Sequence, residues 1–133
     1  MAKDTYFYAL GRRKSATARV RVQSGKGSFK INDQDATGYF DDSKQYQSEL
    51  LKPFTALELD PEKYVITAKV AGGGHASQVD AIRLGVAKAL VEMNEDYRGT
   101  LRKAELLGRD PREKERKKFG LRSARKKRQF TKR

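Results

Sequence analysis

Three features of the 133-residue chain predict an α+β body carrying a long, extended, basic C-terminal tail. Short runs alternate apolar and polar residues with period two, as half-buried strands do. One longer stretch after a glycine triplet repeats apolar residues at helical spacing. The last eighteen residues, 116–133, hold ten Lys or Arg, no acid, and only Phe119, Leu121, Ala124 and Phe130 as apolar side chains. Ordering a backbone costs about 1–2 kcal/mol per residue. So charged a segment cannot recover that cost by packing on itself, and it is expected to take its shape from a polyanion.

In chain order, Tyr6 to Leu10 is aromatic-rich and strand-prone, and Gly11 is read as its end. Gly11-Arg12-Arg13-Lys14-Ser15 follows as a turn bearing three consecutive cations. Thr17 to Val22 alternates cleanly, with Ala18, Val20 and Val22 on one face and Arg19 and Arg21 on the other. Ser24-Gly25-Lys26-Gly27 reads as a hairpin, and Ser28 to Asn32 returns with Phe29 and Ile31 inward. The outer positions are basic, so the exposed side of the sheet is expected to be positive. Asp33 to Ser43 is polar and turn-like, with Tyr39 and Phe40 docking on the body. Lys44 to Lys52 has Tyr46, Leu50 and Leu51 at helical spacing, and Pro53 ends or kinks that helix. Tyr64 to Val70 is another strand, with Tyr64, Ile66, Ala68 and Val70 on one face. The main helix carries Val79, Ile82, Val86 and Leu90, with Ser77 and Asp80 as a capping box. Tyr97 to Leu107 is expected to be a second short helix, stopped by Gly108.

Charge is spread unevenly. The formal net charge is +13, and residues 109–133 contribute +10 of it from thirteen basic and three acidic residues. A near-neutral body with a basic tail is the footprint of a nucleic-acid binder. The expected domains are therefore a globular body, 1–108, and an arm, 109–133. There is no cysteine, which excludes disulfides and thiolate metal sites. No run approaches the ~20 apolar residues of a membrane span, and Met1-Ala2-Lys3-Asp4 lacks the apolar core of a signal peptide. The expectation is a soluble chain in a reducing compartment, with no membrane partner.

Gly72, Gly73 and Gly74 stand directly before the main helix, where backbone N–H groups can approach a phosphate. No Lys and Ser/Thr follow the last glycine, so this is not a nucleotide-binding Walker loop. A plain tight turn and a contact with a nucleic-acid phosphate both account for it. His75 is the only histidine and has no metal-ligand spacing around it; it is read as a polar loop residue, with contact to a nucleic-acid backbone phosphate left open. Arg12, Arg13 and Lys14, beside Arg19 and Arg21, are expected to contact nucleic acid. The body's aromatics, Tyr6 and Tyr8 among them, are read mostly as strand or core residues and not as a base-stacking platform. Phe130, in a segment without a core, is expected to anchor the tip by stacking or in a partner's pocket.

Four separated motifs then carry a resemblance: Gly11-Arg12-Arg13-Lys14-Ser15-Ala16 with Ala18-Arg19-Val20, Gly72-Gly73-Gly74 before Ala81-Ile82-Arg83, Glu115 to Arg122, and Gln129-Phe130-Thr131-Lys132-Arg133. In this order, across nearly the whole chain, they resemble the family of small-subunit ribosomal protein nine, bacterial type. The resemblance implies a mixed four-stranded sheet with helices on one face and a left-handed β-α-β crossover, as in folds like domain 2 of ribosomal protein five. That handedness runs against the general rule. It also implies a structural role in the head of the small ribosomal subunit, in the cytoplasm or an organellar matrix. The rRNA would be held by Arg12, Arg13, Lys14, Arg19, Arg21, Gly72, Gly73, Gly74 and His75 on the body. On the arm, Arg109, Arg112, Arg116, Lys117, Lys118, Arg122, Arg125 and Lys126 would do the same. Lys127, Arg128, Gln129, Phe130, Thr131, Lys132 and Arg133 would reach the anticodon stem-loop of the peptidyl-site tRNA. Ribosomal proteins seven, ten and fourteen would be neighbours.

No cofactor, metal, catalytic residue or small-molecule substrate is expected. Two other classes share parts of the pattern. An enzyme or RNA-processing subunit of related fold would use the glycine turn for phosphate, but would need positioned acids that the scattered Asp and Glu do not supply. An RNA chaperone or DNA-compacting protein would share the charge without needing the motifs together.

Overall fold

Alternation and helical stripes become two layers, a mixed sheet and a helical layer built around one long helix. The computed structural model describes residues 6–41 and 43–108. Strand β1 (Phe7–Arg13) and β2 (Ala16–Ser24) form an antiparallel hairpin. Its two-residue turn is Lys14-Ser15, with Lys14 in the left-handed region at φ 52°. Strand β3 (Ser28–Ile31) turns through Asn32 and Asp33, both at positive φ, into the two-residue strand β4 (Gln34–Asp35). Two positive-φ residues between antiparallel strands match the twist of the flanking chain. Three short helices follow, α1 (Ala36–Tyr39), α2 (Lys44–Leu50) and α3 (Lys52–Ala56). Then come a 3-10 turn (Pro61–Lys63), strand β5 (Tyr64–Ala71), helix α4 (His75–Met93) and helix α5 (Tyr97–Lys103).

The α+β class holds, with a sheet of five strands where four were expected, in the order β1-β2-β5-β3-β4. The additional strand is the short β4 at the outer edge. Strand β5 pairs antiparallel with β2 and parallel with β3. Ser24 to Gly27 is therefore not a hairpin. The chain leaves β2, passes the 3-10 turn through a Gly25 N–H to Lys63 carbonyl bond of 3.0 Å, and enters β3 on the far side of β5. Ser-Gly-Lys-Gly chemistry makes a turn; which strand later fills the gap is a long-range choice. Asn32 extends the parallel ladder past β3, its side-chain amide donating to the Val70 carbonyl and accepting from the Val70 N–H.

The core lies between the sheet and α4. Ala18, Val20, Val22, Ile31, Ile66 and Ala68 meet Val79, Ile82, Val86 and Leu90, all essentially inaccessible to water. The opposite side of α4 buries Ala87 and Val91 against Leu101 and Leu106. Phe40 is buried and the partly buried Tyr39 packs against the core, as expected. Boundaries differ in four places, each for a physical reason. Strand β1 runs through Gly11 to Arg13, because α4 crosses so close to Gly11 that only a residue without a side chain fits there. Pro53 opens α3 instead of ending α2, since the first helical turn needs no proline N–H. Helix α4 starts at His75 with Gly74 at the N-cap, so Ser77 and Asp80 form no capping box. Helix α5 stops at Lys103, where Glu105 takes the left-handed position at φ 61° and Leu106 N–H bonds the Leu101 carbonyl at 3.0 Å. The same closing motif ends α3 at Glu58 and Leu59. In both, buried or half-buried leucines secure the turn and a glutamate bears the strained φ.

Candidate nucleic-acid interface

One face of the sheet is covered by the helical layer, and the other carries the outward residues of every strand. On β2 these are Thr17, Arg19, Arg21 and Gln23; on β5 they are Val65, Thr67, Lys69 and Ala71; on β1 they are Tyr8, Leu10 and Arg12. Register aligns them in rows. Tyr8 faces Arg21, Arg21 faces Thr67, and Arg19 faces Lys69. Lys30 continues the row on β3 opposite Thr67, with Asp35 across from it at the far edge. The expected positive outer side is thus present in the described strands.

At one end of this face the hairpin tip and the glycine turn come together. Gly72 and Gly73 have φ of 78° and 66°, a conformation that side-chain-bearing residues adopt only under strain. A β-carbon on Gly72 would also overlap the Ser15 carbonyl oxygen, and one on Gly73 would crowd Ala16. Gln78 braces the turn, donating to the Gly72 carbonyl at 3.1 Å and accepting from the Tyr39 hydroxyl at 2.8 Å. His75, exposed on its outer side, sets its ring against Phe40 and Tyr39 at centroid distances of 5.3 and 5.6 Å. The Lys14-Ser15 turn, with Lys14 exposed, therefore packs against the exposed Gly72-Gly73 turn although the two are far apart in the chain, whereas exposed Arg12 borders Leu84, Glu105 and Leu106.

Arg13 points elsewhere. Its side chain is 15 % exposed and its Nε lies 3.5 Å from Asp80 on α4. Asp80 also pairs with Arg83 at 3.3 Å, Arg83 bonds Glu49 on α2, and Glu49 pairs with Lys52 at 2.9 Å. Partly exposed pairs contribute about 0–1 kcal/mol each, so this chain orients the hairpin tip and α2 against α4 more than it stabilises them. The Lys52 ammonium hydrogen-bonded to it, helped by Arg83, holds the Glu49 carboxyl below its ordinary value of 4.5 despite the opposing effect of partial burial. A carboxyl depressed in the folded state adds stability above its unfolded value, and that stability is lost as pH falls through the lower folded value. Urea unfolding should therefore show the native chain losing more stability than Glu49→Gln between neutral pH and the range below 4.5. Equal losses would mean the pairing carries no pH-dependent stability.

Lys69 and Tyr8 also lie on this face, beyond the residues that the sequence pattern singled out. The alternation that puts Ile66, Ala68 and Val70 inward already puts Lys69 outward, so that signal was in the pattern. Tyr8 lies on a strand, as expected, but on its outward side, where the residue is 48 % exposed. The arm candidates, Arg109, Arg112, Arg116, Lys117, Lys118, Arg122, Arg125, Lys126 and residues 127–133, lie outside the described residues. Among the described residues no group of three or more His, Asp or Glu could hold a metal ion, and no helix is long and apolar enough to cross a membrane.

The family model described as ribosomal protein S9/S16 matches residues 11–133. Relatives named small ribosomal subunit protein uS9 are similar along nearly their whole length. That of Mycoplasmopsis pulmonis is 47 % identical over 98 % of this chain and 95 % of its own. That of Mycoplasma mobile is 48 % identical over 98 % of both. The Nostoc punctiforme protein is 44 % identical over 96 % of this chain and 91 % of its own. Similarity of this extent reaches from the hairpin through the glycine turn to the basic end, and the chain belongs to the ribosomal protein S9/S16 family.

Proposed function

We propose that the chain is a structural constituent of the small ribosomal subunit, in the ribosome of the cytoplasm, and that it binds small-subunit rRNA. The observation that carries this reading is the sheet face bearing exposed Arg19, Arg21 and Lys69, with the Lys14-Ser15 turn packed on the glycine turn at one end of it. Such groups neutralise phosphates and set orientation without reading sequence. The names of the relatives support the assembly, and residues 109–133, with their net +10, supply most of the charge. In this reading 1–108 is the body and 109–133 an arm that acquires its shape on rRNA, which is recognised largely through its shape and phosphates. The tip, Lys127 to Arg133, reaches the anticodon stem-loop of peptidyl-site tRNA, and ribosomal proteins seven, ten and fourteen lie alongside. The work is binding and requires no catalysis.

Co-sedimentation of the full chain with small subunits through a high-salt wash tests the assembly; loss of the chain in the wash would count against it. Deleting 129–133 tests the tip. Incorporation should be unchanged, while peptidyl-site tRNA dissociates about five- to thirtyfold faster, the effect of losing two exposed charge contacts of about 0.5–1 kcal/mol each. Unaltered tRNA dissociation would remove the tip's role and leave the rRNA role standing.

A further inference from the structure

We propose that the uncovered sheet face seats an unpaired stretch of RNA, with one base stacked on Tyr8 and the neighbouring phosphates on Arg19, Arg21 and Lys69. This rests on the rRNA-binding reading and adds the form of RNA that the body takes.

Tyr6 and Tyr8 are the large apolar side chains left exposed among the described residues, each 48 % accessible, and both lie on this face. Nothing in the core accounts for them. The Arg21 guanidinium sits 4.9 Å from the Tyr6 ring centroid, so that ring already has a partner. Tyr8 borders a cavity of about 230 Å³, shared with Arg19, Arg21, Thr67 and Lys69. Arg19 and Lys69 are direct cross-strand partners, and neither has an ion pair among the described residues. Like charges set opposite each other oppose folding; an anion shared between them turns that repulsion into attraction. The one carboxylate in these rows, Asp35, lies at the far edge beside Lys30. A helical RNA duplex offers phosphates and 2′-hydroxyls but hides its base faces, leaving an exposed tyrosine idle. An unpaired base offers a π-face to an aromatic ring and phosphates on either side of it. A protein partner would have to bring acids to the cations and a flat apolar group to Tyr8 together, whereas one nucleotide carries both.

The test uses the full chain with a short single-stranded oligoribonucleotide bearing 5-bromouridine, and with a duplex of the same length. Irradiation should crosslink the single strand to β1 at Tyr8. Tyr8→Ala should weaken single-strand affinity by about fivefold or more, the size of one base–aromatic stack, while Tyr8→Phe retains it. Duplex affinity should be unchanged by either. Lys69→Gln should shallow the salt dependence of single-strand binding by about one phosphate contact. Tyr8 is half exposed, so these variants keep the fold, which thermal melting verifies. Equal losses for single strand and duplex, or no loss with Tyr8→Ala while rRNA binding persists, would overturn this proposal alone. Failure of the full chain to bind rRNA at all would overturn the underlying reading with it.

Discussion

Truncation after Gly108 should cut the affinity for small-subunit rRNA by about a thousandfold or more at moderate salt and make the remaining binding much less salt-sensitive. The argument is one of counterions. Each phosphate neutralised by Lys or Arg releases condensed cations and steepens the dependence of log affinity on log salt by about 0.7–0.9. The arm holds thirteen basic residues. If only half of them meet phosphate, the slope loses about 5 units on deletion. The body keeps exposed Arg12, Lys14, Arg19, Arg21 and Lys69, which support a slope of about 4. Fluorescence anisotropy with an rRNA fragment over a salt series measures both. Equal slopes for the truncated and full chains would show that the arm contributes no phosphate contacts and that its charge only solubilises.

Legibility from sequence followed the range of the interaction that decides each feature. The alternation of Ala18, Val20 and Val22 against Arg19 and Arg21 is local, and it holds residue for residue in β2. The stripe Val79, Ile82, Val86 and Leu90 is equally local and faces the sheet. Pairing is not local: no property of Ser24 to Gly27 announces that β5 will occupy the edge next to β2. A mixed sheet was implied by the family resemblance and not by periodicity, and neither identified β3 and β5 as the parallel pair. Helix ends failed where chemistry was atypical. Glu58 and Glu105 hold left-handed positions that sequence rules reserve for Gly or Asn, because packing of Leu59 and Leu106 offsets the strain.

The site was legible in its charge and not in its shape. Arg12, Arg13 and Lys14 are three adjacent cations in sequence, yet the strand sends Arg12 and Arg13 to opposite faces and Lys14 lies in the turn. Arg12 and Lys14 are exposed, whereas Arg13 turns toward Asp80. A short charge run on a strand can never present all its members to one partner, since successive side chains point to opposite faces. Reading Gly11 as a strand end instead of a strand interior concealed that alternation.

Gly11 also sets the second large effect. Gly11→Ala should destabilise the body by about 3 kcal/mol or more, the upper end of overpacking costs, and lower Tm by at least about 10 °C. A β-carbon at this position would overlap the Ala81 carbonyl oxygen and crowd the Gly85 nitrogen at 2.7 Å, both backbone atoms of α4. Backbone cannot swing aside as a side chain can, so β1 and α4 must separate and expose the core between them. Gly85→Ala is informative by contrast. Its β-carbon would meet the Val20 side chain, with the Val20 β-carbon at 3.2 Å. Val20→Ala should therefore rescue Gly85→Ala in part and Gly11→Ala not at all, a coupling that a double-mutant cycle isolates. Gly99→Ala is the control, because it lies within α5 with nothing within 4 Å of the added carbon. There alanine should stabilise by about 0.5–1 kcal/mol through helix propensity. One chemical change would then have opposite signs at two glycines of the same chain. Should Gly11→Ala melt with the native protein, helix and strand do not meet as closely as this packing requires, and the hairpin that carries Arg12 and Lys14 is not positioned by α4.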